Sequence, residues 1–162
     1  MIKSSVLVIT GSMLGLLITL VVVANTPINA LENTFVKNFL NPTASGYSQS
    51  VAIFTATGRT IYVSGQVGAG PGGIPDSISM QAELAFRNLS KQLSDAQAHV
   101  DDVVKLNIYI KNMGPDKMQA VADAKAMYFK HQNQPAATWI GVSELALPEL
   151  DVEIEAVAIT QN

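Results

Sequence analysis

Two carboxylates spaced by two residues, Glu153 and Glu155, are the side chains of this chain best arranged for chemistry. In Val152-Glu153-Ile154-Glu155-Ala156-Val157-Ala158, alternation puts Val152, Ile154, Ala156 and Ala158 on one face of a strand. Both carboxylates then share the other face, about 6–7 Å apart. Such a pair can do general acid–base work, as two carboxylates do in glycoside hydrolases. It can equally be a solvated face, and nothing else in the chain supports a sugar site.

Other candidate chemistry is weaker. Ser64 follows a β-rich run but lies in no Gly-x-Ser-x-Gly context. Gly65-Gln66-Val67-Gly68-Ala69-Gly70-Pro71-Gly72-Gly73 is glycine-rich, yet it lacks the Lys-Ser/Thr of a phosphate loop, and the first helix opens only after Pro75. It reads as a flexible connector. His99 and His131 show no metal-ligand spacing, and with no cysteine in the chain there is no thiolate nucleophile, disulfide or Cys-ligated metal. No metal site is expected from these residues. Net charge is −3 and the pI about 5.2, with lysines scattered and only two arginines, Arg59 and Arg87, so no basic track exists for nucleic acid.

These residues need elements to hold them, and periodicity supplies an α+β order. Val51–Ala56 and Thr60–Ser64 form a hairpin across Thr57-Gly58-Arg59, and Gly65–Pro75 forms a loop. Asp76 or Ser77 caps a helix with Ala82, Ala85, Leu89, Leu93 and Ala96 on one face. Val104, Leu106, Ile108 and Ile110 alternate with Lys105, Asn107, Tyr109 and Lys111 along a strand. Gly114-Pro115-Asp116 starts a second helix with Met118, Val121, Ala124 and Tyr128 along its apolar stripe. Two strands close the chain, Ala137–Val142 and Leu150–Ile159. The order β-β-α-β-α-β-β has too few helices to cover both sides of a sheet, so one sheet face needs another partner.

Ahead of this body, residues 4–24 carry no charge, and Lys3 precedes them. About 20 apolar residues span roughly 30 Å as a helix, enough to cross a bilayer. Val22-Val23-Ala24 and Ile28-Asn29-Ala30 also suit signal-peptidase cleavage. Residues 1–30 are therefore expected to be a signal peptide or a retained membrane anchor, 31–46 a linker, and 47–162 the folded domain. The domain would be exported, on the periplasmic or extracellular face, or secreted if the leader is cut.

Several segments, in order, resemble the YjgF/RidA (Rid) family. They are Gly46-Tyr47-Ser48-Gln49, Tyr62-Val63-Ser64-Gly65-Gln66, Gln81 through Asn88-Leu89, and Val104-Lys105-Leu106-Asn107-Ile108-Tyr109-Ile110. Pro135-Ala136-Ala137-Thr138, Gly141-Val142, Leu147-Pro148 and Val152 through Ala158 complete the pattern. The resemblance implies a chorismate-mutase-like fold with two helices on one face, assembled as a homotrimer with small-molecule clefts between subunits. It further implies hydrolysis of reactive enamines and imines without cofactor, with Tyr47, Ser64 and Gly65 lining the cleft and Glu153 orienting or activating water.

The chain departs from the pattern at one decisive place. Deaminating relatives carry an arginine directly after Pro-Ala, whose fork grips the substrate carboxylate; here the residue is Ala137. Trp139, two positions on and on the same strand face, is large enough to fill vacated space. An asparagine of the second helix is replaced by Ala122. Three readings follow: a small-molecule binder without the standard deaminase reaction, a 2-iminobutanoate/2-iminopropanoate-type deaminase with altered anchoring, or an interaction module at a membrane surface.

Overall fold

The computed structural model describes residues 7–9, 20–22, 35–129 and 134–161, and its chain divides into two units, Met1–Thr34 and Phe35–Asn162. In the first unit, Leu7–Ile9 (β1) pairs antiparallel with Leu20–Val22 (β2). These pieces are extended, whereas a single apolar helix was expected through them; the rest of 1–30, and His131, lie outside the described residues. No helix among the described residues is long and apolar enough to cross a membrane.

The second unit is a six-stranded sheet with two helices. Its elements are β3 (Val36–Pro42), β4 (Ser48–Phe54), β5 (Gly58–Val67), α1 (Ile78–Asp95), β6 (Val103–Lys111), α2 (Pro115–Tyr128), β7 (Ala136–Val142) and β8 (Val152–Gln161). The strand order is β3-β4-β5-β8-β6-β7, antiparallel except for the parallel β6–β7 pair. The α+β class and the sequence of expected elements hold, with one strand added.

That added strand corrects the linker. Residues 36–42 were expected to connect, but they pair with β4 from Val36↔Phe54 to Pro42↔Ser48. Leu40 packs on the core, and Asn41 Nδ2 donates to Gln92 Oε1 (2.9 Å) and Asp95 Oδ2 (2.8 Å) on α1. The folded unit thus begins at Phe35, not Tyr47. Proline at the end of an edge strand forfeits no needed ladder bond.

The core lies between the sheet and the helices. Ile61, Leu106, Ile108, Ile154, Ala156 and Ala158 are buried on one sheet face against Ala82, Ala85, Phe86, Leu89 and Leu93 of α1 and Val121 and Ala124 of α2. Ser77 caps α1 by accepting from Met80 N (3.5 Å), and Pro115 opens α2 behind Gly114, both at the expected places. Met118, expected on the α2 stripe, is exposed instead, while Tyr128 stacks on Phe86 with ring centroids 5.8 Å apart. The other sheet face carries no helix and presents Tyr62, Lys105, Asn107, Tyr109, Glu153, Glu155 and Val157.

β5 runs on through Gly65–Val67, where a loop was expected, and does so with a register shift. Val63 pairs Ala156 and Gln66 pairs Ile154, so Ser64 and Gly65 together oppose the single residue Glu155. This is a β-bulge, a device common beside functional sites. Downstream, the chain runs hard against α1: a Cβ on Gly68 would lie 2.4 Å from Gln81 Cα, so only glycine fits there. Asn88 Nδ2 holds the same segment by donating to Val67 O and Ala69 O, both at 2.9 Å.

Candidate functional site

The uncovered sheet face collects most of the polar residues singled out by sequence. Glu153 stands opposite Tyr109 of β6 and Val67 of β5, and Glu155 stands opposite Asn107. Both carboxylates therefore share this face, as the alternation requires. Glu155 Oε1 accepts from Asn107 Nδ2 (2.6 Å) and from the Tyr109 hydroxyl (3.0 Å). Glu153 is half-buried and receives no hydrogen bond from the described residues. Its carboxylate lies directly over the bulge: a Cβ at Gly65 would come 1.7 Å from Glu153 Oε1. Gly65 is thus the seat of that carboxylate.

Burial raises the Glu153 pKa above the ordinary value, and the neighbouring Glu155 charge adds to the rise. The Tyr109 pKa is raised by its hydrogen bond to Glu155, by burial, and by the two carboxylate charges. The arrangement therefore holds one carboxylate anchored by donors and a second, less easily ionised one beside it. A half-buried carboxylate of raised pKa without a partner is suited to accept or donate a proton near its own position.

Ser64 sits in the bulge, but its hydroxyl donates to Ser48 O (2.8 Å), so it is a structural tie rather than an activated nucleophile. Gln66 Nε2 braces the bulge through Gln49 Oε1 (2.8 Å) and Ser64 O (3.0 Å). Tyr47 is 49% exposed at the turn leading into β4, where Thr43 Oγ1 donates to its carbonyl oxygen (2.9 Å).

Ala137 and Trp139 are not brought to Glu153 within one chain. The parallel register pairs Ala137 with Leu106 and Trp139 with Ile108, both core residues, so these two side chains share the helix-covered face. Trp139 packs against the core there. Within one chain the expected cleft residues are thus split, with Ser64, Gly65 and Glu153 on the open face and Ala137 and Trp139 on the other; the expectation was of a cleft between subunits.

Arg59 is spent on the end of α1, where it donates to Gln97 O (2.9 Å), Gln97 Oε1 (3.0 Å) and Thr160 Oγ1 (3.0 Å) and satisfies terminal carbonyl groups. Arg87 lines a groove on the outer side of the helices with Glu83, Met127 and Tyr128. Ala122 lies on α2, away from the carboxylates. Among the described residues no group of three or more His, Cys, Asp or Glu side chains could hold a metal ion.

Sequence reasoning missed two features. A cavity on the open face is lined by Val51, Tyr62, Ser64, Lys105, Asn107, Glu155 and Val157. The polar alternation of β6 placed Lys105 and Asn107 on one face, but only register shows which carboxylate they meet. Gln81 is a buried hub: its Nε2 donates to Pro75 O (2.8 Å) and Glu149 O (2.9 Å), and its Oε1 accepts from Asp151 N (2.8 Å). It fixes the chain entering β8.

Comparison with known proteins gives one consistent result. The family model described as endoribonuclease L-PSP matches residues 39–160. The mitochondrial protein MMF1 of Saccharomyces cerevisiae is 32% identical over 125 residues, covering 75% of this chain and 79% of that protein. The 2-iminobutanoate/2-iminopropanoate deaminase of Dermatophagoides farinae is 32% identical over 118 residues, covering 71% of this chain and 86% of that protein. Among solved structures, a Mycobacterium tuberculosis member of the YjgF/YER057c/UK114 family superposes with TM-score 0.63 at 28% identity, covering 77% of this chain and all of that one (100%). Yeast Mmf1 superposes with TM-score 0.62 at 30% identity, covering 78% of this chain and 98% of that one.

Proposed function

The chain belongs to the YjgF/RidA (Rid) family, and from that premise we propose that it binds a small molecule in clefts between the subunits of a homotrimer, without the standard imine deaminase reaction. The observation that carries this reading is Ala137. A methyl group stands where the family resemblance implies a guanidinium; Arg59 is tied to the end of α1, and Arg87 lines a groove on the helices. Losing an interfacial Arg–carboxylate pair removes about 2–5 kcal/mol of binding, which is roughly 30-fold to several thousand-fold in affinity. A remaining base does not make up for a substrate that is no longer positioned.

The trimer belongs to the same proposal. An open sheet face bearing Tyr62, Ile159 and Val157 is one that other copies would cover, and Ala137 could meet a carboxylate only across subunits, given its place on the opposite face. The proposal also keeps the domain on the outer side of a membrane, because of the uncharged stretch 4–24. One feature favours a second reading, a deaminase that anchors its substrate differently: Glu153 is half-buried, raised in pKa, and without a hydrogen-bond partner among the described residues.

Ammonia release from freshly generated 2-aminoacrylate separates the two. The expected result is a rate equal to buffer alone, with Ala137→Arg raising it. Turnover by the unmodified chain, abolished in Glu153→Gln, would overturn the binding-only reading and establish the second.

A further inference from the structure

The outer side of the helices carries a groove that lies across the sheet from the carboxylate pair. Met80, Glu83, Leu84 and Arg87 of α1 line it along one helical stripe, and Met127 and Tyr128 of α2 face them. Met80 and Met127 are 56% and 59% exposed, so two large apolar side chains stand in water beside one acid and one base. Copies that cover the open sheet face do not fill this groove, because the helices pack on the other side of the sheet.

Glu83 and Arg87 are four residues apart with the acid N-terminal, the order in which a helical pair closes most favourably. They do not close. The ion pairs found among the described residues are Lys91–Asp95 and Lys117–Asp151, and neither Glu83 nor Arg87 takes part in a hydrogen bond with a described residue. Lys91–Asp95, on the same helix at the same spacing but in the less favourable order, does close, at 2.6 Å. The difference is where the guanidinium lies. It leans on the glycine loop, with Nη2 3.8 Å from the position that a Cβ on Gly70 would take. That loop is itself held: Gly70 and Gly73 exchange backbone hydrogen bonds (3.1 and 2.9 Å), and Asn88, next to Arg87, donates to Val67 O and Ala69 O. Arg87 therefore presents a whole donor fork, and Glu83 a whole carboxylate, both beside apolar surface.

Such a surface is complementary to itself. A two-fold axis crossing α1 midway between the two residues sets Glu83 of each copy against Arg87 of the other, which makes two fork-on-carboxylate pairs. We propose that α1 pairs antiparallel with α1 of a second copy of this chain through this groove, with Met80, Leu84 and Met127 as the apolar part of the contact. A partner of one charge sign would satisfy either Glu83 or Arg87 and bury the other unpaired, so a second copy fits where an acidic or a basic ligand does not. Thioether side chains adapt to the surface they meet, which suits them to such a contact. The contact is additional to any assembly made through the open face, and it does not depend on what that assembly binds.

Sedimentation equilibrium of the full-length chain over a range of concentrations tests this. Glu83→Arg and Arg87→Glu each turn both pairs into like-charge contacts, and each should raise the dissociation constant of this association about tenfold or more. Both positions are exposed on the helix, so neither change disturbs the core. Mixing the two variants should restore the larger mass, because the bases of one chain then meet the acids of the other. Placing both substitutions in one chain should restore it too. An unsubstituted chain whose mass equals that of the single variants at every concentration, or variants that do not recover on mixing, would overturn the proposal. Recovery on mixing reads this contact alone, whatever number of copies meets at the open face, so its failure and that of the trimer are distinguishable.

Discussion

The two faces of the one sheet are built from the same strands and answer to different physics. On the covered face, Ile61, Leu106, Ile108 and Ile154 are fully buried against the helices, and their worth is the apolar area removed from water. One residue along each strand, the open face carries Tyr62, Asn107, Tyr109, Glu153 and Glu155, whose worth depends on which atom meets which. Area tolerates a shift of a few tenths of an ångström. A carboxylate seated over Gly65 does not. The covered face makes the protein fold, and the open face sets polar atoms in register.

The largest test of this division is a matched pair of truncations on β8. Ile154→Ala, on the covered face, should cost about 2–5 kcal/mol in urea denaturation, through lost transfer energy and the cavity left behind. Val157→Ala, on the open face, should cost far less at low protein concentration. If other copies cover that face, its cost should grow with protein concentration, while that of Ile154→Ala keeps its value. Equal costs for both, at every concentration, would erase the distinction between the faces.

A smaller effect is expected where the faces share a support. Gln81 is buried in α1, yet its amide ties Pro75, Glu149 and Asp151, and so aims the start of β8 with both carboxylates. Gln81→Ala should cost about 1–3 kcal/mol by leaving backbone groups short of partners. It should also increase hydrogen exchange at Asp151 N–H, which a mere loss of helix packing would leave protected.

What could be read from sequence follows the same line. The covered face was legible because burial repeats at fixed intervals: Ala82, Ala85, Leu89 and Leu93 by helical spacing, and Val152 through Ala158 by alternation. Ser77 and Pro115 marked helix starts because caps are local chemistry. β3 escaped notice because an edge strand buries little, and only Leu40 of Val36–Pro42 packs on the core. The bulge at Ser64-Gly65 has no local signature, since it exists only relative to β8. Alternation put Ala137 and Trp139 on one face of β7, correctly, but which side of the sheet that face is depends on the parallel pairing with Leu106 and Ile108. The carboxylate pair was legible as a pair; its donors, Asn107 and Tyr109, became partners only through register.

The smallest predicted effect isolates the open face by its charge. Because the folded chain raises the Glu153 pKa above 4.5, the folded state holds that proton more tightly than the unfolded one. Below 4.5 both states are protonated and the group adds nothing. As pH rises from there through the raised folded value, the unfolded state ionises first, so stability falls, and the loss is complete once Glu153 is ionised in the fold. Glu153→Gln removes this titration while keeping the shape over Gly65. Thermal melts of the two proteins should therefore nearly coincide at pH 4 and separate toward pH 7, with the glutamine variant the more stable. Partial exposure of Glu153 keeps the gap small. A gap that stays constant with pH would mean that folding leaves this carboxyl's titration unshifted, and one that favours glutamate at pH 7 would mean that a partner cation stabilises the carboxylate.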